Sequence, residues 1–139
     1  MATTQNPLGR RRVLVVDDDG EMRALLGTTL SNAGYEVIEK ADGSEVLSLL
    51  VGLVQHPDTE RIDLAVLDVN MPGASGIRIL AWLKRSNLIL PVILITAFGS
   101  PELHEQAERL GVVKVFDKPF PLTALVDYIR NVHLPSRDI

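Results

Sequence analysis

The sequence predicts an α/β fold, a doubly wound open parallel sheet of five strands with five helices on its two faces. Short β-branched runs alternate with segments of helical periodicity along most of the chain. The strongest runs, Val13-Leu14-Val15-Val16, Leu64-Ala65-Val66-Leu67 and Val92-Ile93-Leu94-Ile95, are continuously apolar, as strands covered on both faces are. Strand–helix alternation of this kind closes through right-handed crossovers, which put helices on both sides of the sheet.

The elements follow in order. The first strand is 13–16. Met22, Leu25, Leu26, Thr29, Leu30 and Ala33 then share one helical face, and Gly34 ends that helix as a C-cap. Tyr35-Glu36-Val37-Ile38 is half polar and reads as an edge strand. Val46, Leu47, Leu49, Leu50 and Leu53 mark the second helix, and the polar stretch 56–61 with Pro57 reads as a long loop. The third strand follows, then a helix marked by Ile77, Leu80, Ala81, Leu83 and Lys84. After the fourth strand, Ser100 is placed as an N-cap with Pro101 at the first helical position, and Gly111 closes the helix of Leu103, Ala107 and Leu110. Val112-Val113 with Val115-Phe116 forms the fifth strand. Leu122, Leu125, Val126, Ile129 and Val132 form the fifth helix. The tail 135–139 is polar and expected to fray.

Bulk properties narrow the function. The chain has 139 residues, 46% of them hydrophobic, material for one well-filled core and no second domain. A formal charge of −4 argues against direct DNA binding. The Arg10-Arg11-Arg12 run reads as a solvated lead-in to the first strand. No cysteine is present, so disulfides and cysteine-ligated zinc are excluded and a reducing cytosol is the expected setting. Residues 1–9 do not resemble a secretory signal. Apolar runs of about five residues fall far short of the ~20 a membrane helix needs. A soluble, cytoplasmic protein with no membrane partner is expected.

The polar residues carry the chemistry. The first strand ends in Asp17-Asp18-Asp19, the third in Asp68 with Asn70 two residues on, the fourth in Thr96, and the fifth in Asp117-Lys118-Pro119. In an open parallel sheet these ends share one rim, where such folds bind ligands. Two carboxylates ~4 Å apart repel by about 4 kcal/mol at an effective dielectric near 20, so a cation belongs among them. Oxygen donors without His or Cys suit Mg²⁺ or Ca²⁺. A short protein ligand set with room for water and phosphate favours Mg²⁺, and no calcium-loop pattern is present. Taken singly, the acids at 17–19 read as a helix N-terminus, and Lys118 as a surface lysine. Their joint placement at strand ends gives the functional reading.

With these motifs in place, the chain resembles the receiver domain of two-component response regulators from about Arg12 to Val132. The resemblance is carried by Val-Leu-Val-Val-Asp-Asp-Asp at 13–19, Leu-Asp-Val-Asn-Met-Pro-Gly at 67–73 with Gly76, Ile-Thr-Ala-Phe-Gly-Ser at 95–100 and Phe-Asp-Lys-Pro-Phe at 116–120. It implies a flavodoxin-like sheet of order 2-1-3-4-5, a receiver domain over 12–133, a flexible lead at 1–11 and a tail at 134–139. It implies that Asp68 accepts a phosphoryl group from the phosphohistidine of a histidine kinase or phosphotransfer protein. Mg²⁺ would be held by Asp17, Asp18, Asp68 and the backbone carbonyl of Asn70. Lys118 and Thr96 would contact phosphoryl oxygens, and Lys118-Pro119 would be a cis peptide. The protein would catalyse only its own phosphorylation and dephosphorylation, as a monomer or weak homodimer, and pass its state to a downstream effector protein by contact. The family often carries an aromatic three residues before the lysine as a rotamer switch. Here that position is Val115, with Phe116 beside it.

The remaining candidates are bland. His104 and Glu108, spaced i, i+4, read as a solvated helix face rather than a metal pair. The sequence suggests no particular partner for His56 or His133. Trp82, Met22 and Met71 read as packing residues. A haloacid-dehalogenase-like phosphatase would also use a strand-end Asp, but with an acid where Asn70 stands. A receiver-shaped module that takes no phosphate would not need Asp17, Asp18, Asp68, Thr96 and Lys118 together. The same sequence would also suit a receiver cut from a longer regulator.

Overall fold

A computed structural model describes residues 9–57, 61–132 and 134. Most of the expected lead, the middle of the 56–61 loop, His133 and the tail from residue 135 lie outside the described residues.

Within them the chain runs β1 (Arg12–Val16), α1 (Gly20–Asn32), β2 (Glu36–Lys40), α2 (Gly43–Gln55), β3 (Leu64–Asp68), α3 (Gly76–Ser86), β4 (Val92–Thr96), α4 (Pro101–Arg109), β5 (Lys114–Asp117) and α5 (Leu122–Asn131). The strands pair in parallel in the order β2-β1-β3-β4-β5. The expected fold class and strand order are both observed.

Strand side chains alternate between the two faces and build two apolar layers. Leu14, Val16, Ala65, Leu67, Val92 and Leu94 meet α2, α3 and Ala107 of α4. Val13, Val15, Leu64, Val66, Ile93 and Ile95 meet Leu26 and Leu30 of α1 and Leu125, Val126 and Ile129 of α5. Every residue of β1, β3 and β4 is buried, which explains why their sequences do not alternate.

The helices start where short polar side chains cap them. Asp19, Asp42, Ser75 and Ser100 accept N–H bonds from the first turns of α1 to α4. Gly34 ends α1 at φ 102°. Its N–H donates to Ser31 and that of Tyr35 to Leu30, satisfying orphan carbonyls of the last turn.

Several expectations need correction. Arg12 is no solvated lead-in: it lies buried in β1. Its N–H donates to Asp63 Oδ2 at 2.8 Å and its Nε to Glu36 Oε1 at 3.0 Å. Arg11 and Arg61 also reach Asp63 Oδ1, at 3.3 and 3.1 Å. Asp63 precedes β3 and Glu36 opens β2, so this network ties the starts of three strands together. Leu25 is 52% exposed, because the apolar stripe of α1 turns through Leu26 and Leu30 instead. In α3 the fully buried anchor is Ile79, while Ile77 is only partly buried. The fifth strand starts at Lys114, because Val112 is still bonded to the end of α4 through Ala107. Trp82 and Met71 pack against the α2/α3 layer and Met22 against the α1/α5 layer, as read. His56 closes α2, its N–H donating to Gly52.

Candidate functional site

The register of the sheet brings the strand-end residues together. Val16 pairs with Leu67, so Asp17 follows β1 beside Asp68 at the end of β3. Asp68 pairs with Ile95, one residue short of Thr96, and Thr96 pairs with Asp117, one short of Lys118. All four strand ends open on one rim.

Asp17 is fully buried and Asp68 is 7% exposed, whereas Asp18 stands at the surface. One carboxylate oxygen from each lies within 4.8 Å of the others. Lys118 Nζ sits 3.6 Å from Asp17 Oδ2 and 3.8 Å from Asp68 Oδ2. Those separations are too long for good hydrogen bonds and make Lys118 a shared counter-charge. Its backbone is anchored by N–H donation to the Thr96 carbonyl at 2.8 Å, and the Lys118–Pro119 peptide is cis, as expected.

The remaining contacts set the carboxylates. Asp17 Oδ1 accepts the Asp19 N–H at 2.9 Å. Its Oδ2 is buried without a hydrogen-bond partner, a costly state for an oxygen sealed from water. Asp68 Oδ1 accepts the Asn70 backbone N–H at 3.2 Å. Thr96 is fully buried, and its Oγ1 accepts the Phe98 N–H at 3.1 Å, which leaves the hydroxyl proton free to donate elsewhere.

Burial, then the charge of Asp17, pushes the Asp68 carboxyl up to about 6, against the opposing pull of the Asn70 N–H and Lys118. Three carboxylates thus face one ammonium. The uncompensated negative charge, the orphaned Asp17 oxygen and an all-oxygen donor set fit a small hard cation.

Two contacts had not been anticipated. Arg23 of α1 donates from Nη1 to the Asp17 carbonyl at 2.6 Å and stands 3.6 Å from Glu39 of β2. His104 meets Asp117, not Glu108, at 3.1 Å. The only sequence signal for Arg23 is a basic residue one turn into a helix whose N-terminus is otherwise acidic. For His104 there is none, since its partner lies 13 positions away.

Comparison with known proteins follows the same lines. The family model described as "Response regulator receiver domain" matches residues 13–130. The chain is 32% identical to the sporulation initiation phosphotransferase F of Bacillus subtilis over 91% of its own length and 95% of that protein's. It is 37% identical to the C4-dicarboxylate transport transcriptional regulatory protein DctD of Pseudomonas aeruginosa, over 86% of its own length and 24% of that protein's. Among solved structures, the chemotaxis protein CheY4 of Vibrio cholerae superposes with a TM-score of 0.76 at 29% identity, over 90% of this chain and 100% of that one. Among the described residues, no helix is long and apolar enough to cross a membrane.

Proposed function

The chain belongs to the response regulator receiver family, and from that premise we propose that Asp68 is its phosphoryl acceptor, working with Mg²⁺. In the reaction, an Asp68 carboxylate oxygen attacks the phosphorus of a phosphohistidine. The P–N bond breaks, its electron pair leaves with the imidazole nitrogen, and an acyl phosphate remains on Asp68. Such transfers depend on positioning and charge neutralisation more than on covalent assistance.

The chain's own groups have defined parts in this reading. The Lys118 ammonium, already shared by Asp17 and Asp68, moves to a phosphoryl oxygen as negative charge arrives. The buried Thr96 hydroxyl donates to another. Asp17, Asp18 and Asp68, with the Asn70 carbonyl, would hold Mg²⁺, which would supply positive charge to the entering phosphoryl oxygens. A carboxyl at about 6 is mostly ionised at neutral pH and so available as a nucleophile.

The wider reading follows the family. The donor is a histidine kinase or a histidine phosphotransfer protein, and the signal passes to an effector protein by contact, in the cytoplasm, without direct DNA binding. The chain acts as a monomer or weak homodimer and catalyses only its own phosphorylation and dephosphorylation. Residues 12–133 form the working domain.

The observation that carries this proposal is the Lys118 ammonium set between two buried carboxylates, one with an orphaned oxygen. Incubation with acetyl phosphate and Mg²⁺, followed by intact mass measurement, tests it. One added phosphoryl group is expected, absent with chelator and absent from Asp68→Ala. Undiminished labelling of that variant overturns it.

A further inference from the structure

Resting on the cation reading above, we infer that Arg23 is a positioning residue that holds Asp17 in place for the cation, tied in turn to edge strand β2 through Glu39. The Asp17 carbonyl lies past the end of β1, where the sheet no longer supplies its bonds. Arg23 takes it with a 2.6 Å charge-assisted bond. The Asp17 N–H is turned toward the Lys40 carbonyl of β2 at 3.4 Å, and Oδ1 accepts from Asp19. The backbone and one carboxylate oxygen are therefore held from three directions, and the free Oδ2 is left facing the cluster.

Glu39 holds the other side of the guanidinium at 3.6 Å. Its carboxylate lies against α1 at Gly27, where a side-chain carbon would displace it. As a partly exposed pair at 3.6 Å, Arg23–Glu39 contributes little to stability on its own. As the far support of a cation ligand it matters more, since the partners that orient ligands typically set metal affinity by 10–100-fold. The planar guanidinium fork can serve the carbonyl and Glu39 together, whereas an ammonium concentrates its donors at one point.

Calorimetric titration of the metal-free full chain with MgCl₂ tests this, with thermal melts of the same metal-free samples alongside. Arg23→Ala is expected to loosen Mg²⁺ about tenfold, with a modest fall in the metal-free melting temperature from the lost bond. Arg23→Lys should recover part of the loss. Glu39→Gln, which leaves the core untouched, should loosen binding in the same direction by less. Equal Mg²⁺ affinity in Arg23→Ala and the unaltered chain overturns the inference. So does a fall in melting temperature with no change in affinity. Should Arg23→Ala fail to fold, unchanged affinity in Glu39→Gln overturns it. An unaltered chain that takes up no Mg²⁺ overturns the cation reading and this inference together.

Discussion

His104, near the start of α4, grips Asp117, the last residue of β5, with Nε2 3.2 and 3.1 Å from its two carboxylate oxygens. Asp117 adjoins Lys118, and the loop between Thr96 and α4 lies against the same carboxylate at Gly99. A shift at Thr96 therefore reaches α4 by two routes, the loop and the histidine. No ring stands at position 115 to assist. Phe116 cannot substitute, because it packs on the opposite, α1/α5 layer with Phe120 and Tyr128, at centroid distances of 5.0 and 6.0 Å. On this basis His104→Ala should keep phosphorylation of Asp68 but shrink the backbone amide shifts that beryllofluoride induces across Pro101–Arg109. Full-sized shifts in the variant would show that the loop alone carries the signal.

Thr96→Ala removes both the hydroxyl expected to meet the phosphoryl group and the acceptor of the Phe98 N–H. It should still take up phosphate from acetyl phosphate, lose about 1 kcal/mol of stability, and show weakened shifts in both α4 and α5. Urea melts and amide spectra check the two halves separately.

The raised Asp68 carboxyl makes the metal-free fold sensitive to pH in a definite direction. A native value of about 6 against an ordinary 3.8 means the folded state binds the proton more tightly. Stability from this group is greatest below pH 3.8 and falls as pH rises through about 6, beyond which it is flat. The loss is on the order of 1–3 kcal/mol, reduced by solvent at the open rim. Asp68→Asn should remove this slope and be more stable than the unaltered chain at pH 7 without metal. Mg²⁺ at one hundred times Kd should raise the unaltered chain by about 2.7 kcal/mol. Thermal melts from pH 4 to 8, with Mg²⁺ and with chelator, test both.

At the opposite end of the sheet, Asp63 is 3% exposed and accepts from the Arg12 N–H, Arg11 and Arg61. Asp63→Ala strands a buried N–H and removes one partner of the Arg11 and Arg61 guanidinium groups. A loss of about 3 kcal/mol is expected, with no change in phosphorylation at temperatures where the variant is folded.

Two glycines of α2 should respond oppositely to alanine. Gly52 has open space around it, so Gly52→Ala should stabilise by about 0.5–1 kcal/mol. A side-chain carbon at Gly43 would strike the backbone of Ala74 in the loop after β3, so Gly43→Ala should destabilise and disturb that loop. Denaturant midpoints compare them directly.

Much of this was legible in the sequence, for physical reasons. Strands buried on both faces leave unbroken apolar runs, and Ser100 marks a helix start because only short polar side chains reach back to the first turn. The acids at 17, 18 and 68 stood out because they terminate those runs. Contacts made by polar groups across the fold were hidden. Arg12 looked solvated because nothing local reveals Asp63, 51 positions away. Arg23 bonds to a backbone carbonyl, which has no signature of its own. In α3, Ile77 and Ile79 are equally apolar, and only the angle at which the helix meets the sheet decides which is sealed.

The pairing of Val16 with Leu67 also has a kinetic side. Val16 and Leu67 are distant in the chain, and β1 can pair with β2 through α1 well before β3 has been synthesised. Asp17 and Asp68 meet only when β3 docks, so their repulsion opposes that step alone. A slip of one residue in the docking would turn Asp68 to the other face of the sheet. Non-local pairing of this kind is slow, and here its last stage is uphill in charge. Cations in the medium should therefore hasten the refolding step in which β3 docks on β1.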